Sequence, residues 1–375
     1  MTHSTMNTRL MRVVCALLFL AFCFIYLYFY EGDVLLAAQH DWSDGATHYN
    51  VTIGAVLITL VLLLLQMGVM AITKLYKRTH ALTYFPSLFL LLMTVGYGTK
   101  WHTTTIVIVL SVLAALVYVA LVILFRRYQP YERPISSNGL FSQLVTINVA
   151  QMLLMFFIVC LLGNNHISLH HQMRMERFLS EKQYEKAAAV GKNNQDTPTL
   201  TMLRAHALAR QGLLGDKLFS YAVYPSSDAL IPSTSKTENS TLNLERIYAT
   251  IGSRYNTKQN VVDLVSGLKK RKLNRAAADD YLLCAHLLDK QLDQFAKALP
   301  NAYTINDSLP KHYREALCLY THLREHPAVA FQDSILEIDY EDFVKLQRKY
   351  PDATVRRNKL RATYRDSYWY YYYCR

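Results

Sequence analysis

Phe141–Gly163, FSQLVTINVAQMLLMFFIVCLLG, decides how this chain is read. It carries no charged side chain over the ~20 residues that a helix needs to cross the hydrocarbon of a bilayer. The sequence then passes through GNNHISLHHQMRM into a polar, helix-forming stretch. Everything before this run reads as membrane, and everything after it as a water-soluble helical domain. The expected division is therefore a transmembrane domain at 1–163 and a soluble domain at 164–375.

Working back from Phe141, Met11–Tyr30, Val51–Thr73 and Thr105–Phe125 are apolar runs of spanning length. Ala81–Thr99 contains LFLLLMTV but also Pro86, Gly96 and Gly98, so it reads as a weaker span with a re-entrant segment as its alternative. The fold class is all-α: a five-span transmembrane bundle (11–30, 51–73, 81–99, 105–125, 141–162) followed by a soluble domain of α-helical hairpins. The loops give its orientation, because positively charged segments stay on the cytoplasmic side. Arg9 and Arg12 precede the first span, Lys74, Lys77 and Arg78 follow the second, and Arg126, Arg127 and Arg133 follow the fourth; Glu31–Asn50 has no Lys or Arg. The N-terminus is placed in the cytoplasm and the C-terminal domain, in a bacterium, in the periplasm at the inner membrane. Trp42 and Trp101 fall on the far side, where indole rings favour the membrane interface.

Ionisable side chains are absent from the span interiors, which argues against an ion or proton pathway. Gln66 and Gln151 are instead expected to bond between helices. The loop QHDWSDGATHYN at 39–50 offers imidazoles and carboxylates, the ligand types of divalent ions, but at a spacing that matches no metal motif. It reads as a polar turn at the membrane surface, with His40, Asp44 and His48 as the residues to watch. His166, His170 and His171 pose the same question without a fourth ligand.

Nine of the 40 Lys+Arg and five of the 28 Asp+Glu precede Gly163, so the soluble half carries most of the net charge of +12. Lys269–Lys272 and Arg356–Arg361 suit an anionic surface, but without interleaved aromatics they read as solvated faces, and nucleic acid is not expected as a partner. No Cys-x-x-Cys or Cys/His ligand spacing stands out among Cys15, Cys23, Cys160, Cys284, Cys318 and Cys374, and no cofactor motif is present. No catalytic residue is assigned.

Beyond Arg174 a helix, turn, helix unit recurs. SEKQYEKAAAV (180–190) and ARQGLLGDKLFSY (209–221) resemble the turn and second helix of the tetratricopeptide repeat family, with Gly212 at the turn glycine. ADDYLLCAHLLDKQLDQFAKAL (278–299) repeats the unit, and Asp339–Val344 gives a fainter echo. That resemblance implies a solenoid of helical hairpins presenting a concave surface to a protein or peptide. The ordered motifs QHDWSDGATHYN, ITLVLLLLQ and HALTYFPSLFLLL resemble an uncharacterised bacterial family of multi-span membrane proteins with a helical-repeat tail, which implies a class and no mechanism. The terminal Tyr368-Trp369-Tyr-Tyr-Tyr-Tyr373 supplies six large rings, expected to dock on the domain and close its apolar end.

The expected partners are the lipid bilayer and a protein or peptide held by the repeats, with the chain acting as a membrane-anchored scaffold. The alternative is an enzyme or accessory of envelope assembly that acts on a lipid-linked or glycan substrate at the outer membrane face.

Overall fold

The computed structural model describes residues 2–43, 46–47, 49–96, 104–129, 139, 142–232, 242–243, 245–254, 260–329 and 331–375. Among them there is no strand; Gln195 and Ala222 form an isolated parallel bridge. The chain divides into two compact units, Met1–His170 and His171–Arg375, each with its own hydrophobic core. The division lies beyond Gly163, where the apolar run ends.

The first unit contains α1 (Thr2–Ile25), continued by a π-helical turn at Tyr26–Tyr30, then α2 (Gly32–Trp42) and α3 (Val51–Thr73). A 3₁₀ segment at Lys77–Tyr84 leads into α4 (Phe85–Val95), and α5 (Thr104–Tyr128) and α6 (Gln143–Leu162) complete the unit. Two of the helix starts are capped by side chains. Asn50 accepts from the N–H groups of Thr52 and Ile53, and Ser142 from that of Val145, filling donors that helix geometry leaves open. Four stretches are long and apolar enough to cross a membrane: Thr8–Tyr30, Val51–Thr73, Thr105–Tyr128 and Gln143–Leu162. None of the spanning window of α5 is fully buried, so most of its apolar side chains are exposed, a pattern that suits lipid and not water.

The span expected at 81–99 is built differently. Its polar start is the 3₁₀ segment KRTHALTY, and α4 has only 11 residues. At 1.5 Å per residue α4 is roughly 16 Å long, about half the hydrocarbon thickness. Residues 97–99 of the expected span lie outside the described residues. A 3₁₀ run of this length is uncommon, and side chains from neighbouring helices support it. The Ala81 N–H donates to Asn148 Oδ1 at 2.7 Å, and Asn148 Nδ2 donates to the Lys77 carbonyl at 2.8 Å. Gln66 donates to Thr83 Oγ1 at 2.9 Å, and the Ser87 hydroxyl to the Leu62 carbonyl at 2.8 Å. Gln66 therefore bonds between segments as expected. Gln151 Oε1 makes no hydrogen bond, and the second bridging role falls to Asn148.

These contacts also fix helix directions. Phe22 stacks on Phe156 at 4.1 Å, and Tyr26 lies against Gly163, so both partners advance together and α1 and α6 are parallel. Residues 62 and 66 of α3 meet residues 87 and 83, so α3 runs antiparallel to the 77–95 segment. Phe85 stacks on Tyr118 at 5.5 Å while Gln129 reaches Thr79, making α5 antiparallel to it as well. Since α3 and α5 run the same way, residues 77–95 carry the chain back between them. Arg78 bonds Gln143 at the start of α6, which gathers Lys74, Lys77, Arg78, Arg126 and Arg127 at one end of the bundle.

The second unit contains α7 (Ile167–Ser180, beginning in the first unit), α8 (Tyr184–Ala189), α9 (Pro198–Gln211), α10 (Leu214–Lys217), α11 (Glu245–Ile251) and α12 (Val261–Lys270). It continues with α13 (Ala276–Leu288), α14 (Leu292–Ala298), α15 (Lys311–Leu323), α16 (Ser334–Lys349), α17 (Ala353–Tyr364) and α18 (Tyr368–Cys374). Three hairpins share one turn. Lys182, Gly212 and Lys290 are left-handed, with φ of 60°, 70° and 57°. The next N–H in each case returns to the carbonyl five residues back: Gln183 to Phe178, Leu213 to Leu208, and Gln291 to His286. This is a Schellman closure, which satisfies the open carbonyls of the first helix and turns the chain into its partner. Glycine supplies the left-handed residue at little cost in one hairpin, while lysine holds it in the other two. Tyr340 and Val344 of the echo at Asp339–Val344 lie inside α16, where the Tyr340 ring packs on His322 of α15 at 4.7 Å.

Candidate functional site

The ordinary reading of an apolar span followed by Glu31 is that the carboxylate marks the water boundary. The structure buries it. Glu31, between the π-helical turn and α2, has 0% of its surface exposed, and neither carboxylate oxygen has a partner in good geometry. The Tyr26 side chain and the Asn164 backbone lie near enough to oppose its protonation, but burial outweighs both and pushes the carboxyl up to about 8. Gly163 is required here because a Cβ would collide with the Tyr26 hydroxyl. Beside it, Tyr30 packs on the His170 ring at 4.7 Å, and a His170 ring nitrogen meets the Asn164 carbonyl at 2.7 Å.

The sign of the linkage follows. Glu31 binds its proton more tightly in the folded chain than at its ordinary value of 4.5, so its contribution to stability is present below about 4.5 and is lost as pH rises through about 8. The unfolding midpoint of the detergent-solubilised protein should fall across that window, and Glu31→Gln should flatten the fall. Equal slopes for both proteins would contradict the assignment.

A cleft of 830 Å³ opens between α4, α5 and α6. Phe85, Phe89, Met93, Leu113, Val117 and Ile158 line it, and Gly163, Asn165 and His166 form a polar end. The cleft is thus apolar over most of its lining and polar at the 163–166 end.

Of the residues singled out in the sequence, His40 sits half-buried in the last turn of α2, where neighbouring Gln39 bonds Thr47 at 2.9 Å. Asp44, His48 and Trp101 lie outside the described residues. Trp42 is 66% exposed. His166 and His170 do not converge on a shared ligand site: His166 borders the cleft, while His170 binds the Asn164 carbonyl. His171 packs against Gly191. The signal for Glu31 was in the sequence as a carboxylate directly after YLYFY, but its burial depends on the end of α6 lying beside it.

In the second unit Cys318, His322 and Glu337 each place one donor atom within 4.8 Å of the others. Cys318 and His322 stand four apart on α15, a spacing the sequence contains and the reading of it passed over. Glu337 comes from α16, which no spacing reveals.

Two segments, 118–257 and 254–375, match the profile of a protein family described as a family of unknown function, DUF6057. Together they cover more than half of the chain. The chain belongs to that family. Nothing among curated proteins or solved structures matches it significantly. Family membership therefore adds no substrate or partner, and the 118–257 match runs from within α5 into the helical unit.

Proposed function

We propose that this protein is a multi-pass protein of the bacterial inner membrane that holds a TPR-like helical unit on the periplasmic side as a docking platform for a protein or peptide. The observation that carries this reading is the pairing of a lipid-suited bundle with a separately cored unit built on three hairpins with one turn geometry. The parallel course of α1 and α6 supports five passes, with residues 77–95 as a short third crossing. The clustering of basic residues at the end where α6 begins supports a cytoplasmic location for that end and an outward exit at Leu162.

On the unit itself, Ile335 and Ile338 stand one turn apart on α16 and are 76% and 63% exposed, an apolar pair suited to a partner. Spheroplasts carrying Ile335→Cys, treated with a membrane-impermeant thiol crosslinker, should yield an adduct with a partner protein. Failure of the reagent to label position 335 until the membrane is broken would overturn the topology. Labelling without any protein adduct would overturn the platform. A long-chain lipid retained through purification in that last case would favour a second reading, in which the chain serves envelope assembly by holding a lipid-linked substrate; the α4–α5–α6 cleft supports it.

A further inference from the structure

We propose that Cys318, His322 and Glu337 form a binding site for a borderline-soft divalent cation such as Zn²⁺. Three donor types that such ions prefer, thiolate, imidazole and carboxylate, converge from two helices. The hydrogen bonds of His322 carry the argument further. Its Nδ1 lies 2.9 Å from the Cys318 carbonyl oxygen, an acceptor only, so Nδ1 bears a proton. Its Nε2 faces Glu337 Oε2 at 3.3 Å, a second acceptor. With Nδ1 donating to that carbonyl, the Nε2 lone pair and the Glu337 carboxylate face one another, and a metal ion between them would accept both. A backbone carbonyl that orients a ligating histidine through its other ring nitrogen is a common outer-shell arrangement at metal centres.

The surroundings favour the ion. The Tyr340 ring packs on the imidazole at 4.7 Å and holds its plane. Glu337, Asp333 and Glu315 lie close to the buried Cys318 thiol, so a divalent cation there would relieve a concentration of negative charge. Coordination releases the thiol proton to solvent, and binding should strengthen as pH rises. Zn–S and Zn–N bonds of about 2.3 and 2.0 Å put tetrahedral donors roughly 3.5 Å apart. The cluster must therefore contract by about 1 Å, through side-chain rotation at all three positions. Cys318 is buried, Glu337 half-buried and His322 36% exposed, so a fourth position opens to water.

The test uses the full chain in detergent, stripped with a chelator and titrated with Co²⁺ as the probe at mildly alkaline pH. Wild type should develop thiolate-to-cobalt charge-transfer absorption that saturates at one equivalent and is abolished by Zn²⁺. Cys318→Ser should lose that absorption. Glu337→Gln, a change at a half-buried position, should weaken Co²⁺ binding by at least tenfold with the helical content unchanged. Absence of absorption in wild type, or its survival in Cys318→Ser, would overturn the site.

Discussion

Truncation after Ser367 is expected to unfold the helical unit. Four of the six terminal rings are buried: Tyr368, Trp369, Tyr370 and Tyr371 are at most 4% exposed. The Trp369 indole N–H donates to the Glu315 carbonyl at 2.8 Å, and the Tyr368 and Tyr371 hydroxyls donate to the carbonyls of Leu287 and Leu288 at 3.0 and 2.7 Å. Glu315, itself 3% exposed, accepts the Tyr368 N–H at 2.7 Å and meets His312 at 2.9 Å. Phe219, Phe343 and Tyr340 complete the ring packing. The end of the chain thus seals the core made by α13 and α15. Trp369→Ala alone should cost about 3–5 kcal/mol, a large share of the ~5–15 kcal/mol that holds a domain folded. Chemical unfolding of the detergent-solubilised chain, followed by near-ultraviolet dichroism, measures the loss. A midpoint within error of wild type would mean that the tail is dispensable for folding and free to serve a partner.

Removing one side of the buried pair between Arg204 and Asp196 should be comparably severe. Arg204 is 1% exposed and clasps Asp196 with two bonds, Nε to Oδ2 at 2.7 Å and Nη2 to Oδ1 at 2.9 Å. The remaining donors reach the carbonyls of Val190 at 2.9 Å and of Ala188, and the guanidinium lies over the Tyr221 ring at 4.4 Å. One arginine therefore ties together the end of α8, the start of α9 and the segment that follows α10. Arg204→Met should cost roughly 3–5 kcal/mol, because Asp196 stays behind as an uncompensated buried charge. Adding Asp196→Leu should recover part of that loss. Arg204→Lys keeps the charge but lacks the planar fork, so it should fall between wild type and Arg204→Met. Independent, additive losses in the double variant would show that the two side chains are not coupled.

These two features mark where sequence reasoning reached and where it stopped. The density of rings at 368–373 pointed to a docked terminus, because so much apolar surface is costly to leave in water. Which helices receive it was not legible, since Glu315 and Leu287 are distant in sequence. The importance of Arg204 was not legible at all. In TLTMLRAHALARQ it looks like any basic residue on an amphipathic helix, and only the bends at Val190 and Asp196 enclose it.

The membrane half divides in the same way. Length and hydropathy at 11–30, 51–73, 105–125 and 141–162 were enough to predict four helices capable of crossing, because the cost of unsatisfied backbone polar groups in hydrocarbon leaves a long apolar run little choice but helix. The weak run at 81–99 was ambiguous for a physical reason. Its first turns need polar support, and they take it from Asn148, Gln66 and the Leu62 carbonyl. Glu31 followed the opposite course: a carboxylate that local sequence assigns to the water boundary is enclosed by the end of α6.

For Phe141–Gly163, sequence alone determined that this segment is a helix of spanning length and that a polar helical unit follows it. Its direction was inferred from loop charges, an argument that turned on how the 81–99 segment was counted. The tertiary contacts add its course relative to the first helix: Phe22 against Phe156 and Tyr26 against Gly163 make the two parallel. Local sequence can set the conformation of a segment, but only side chains that meet across the bundle set its direction relative to the others.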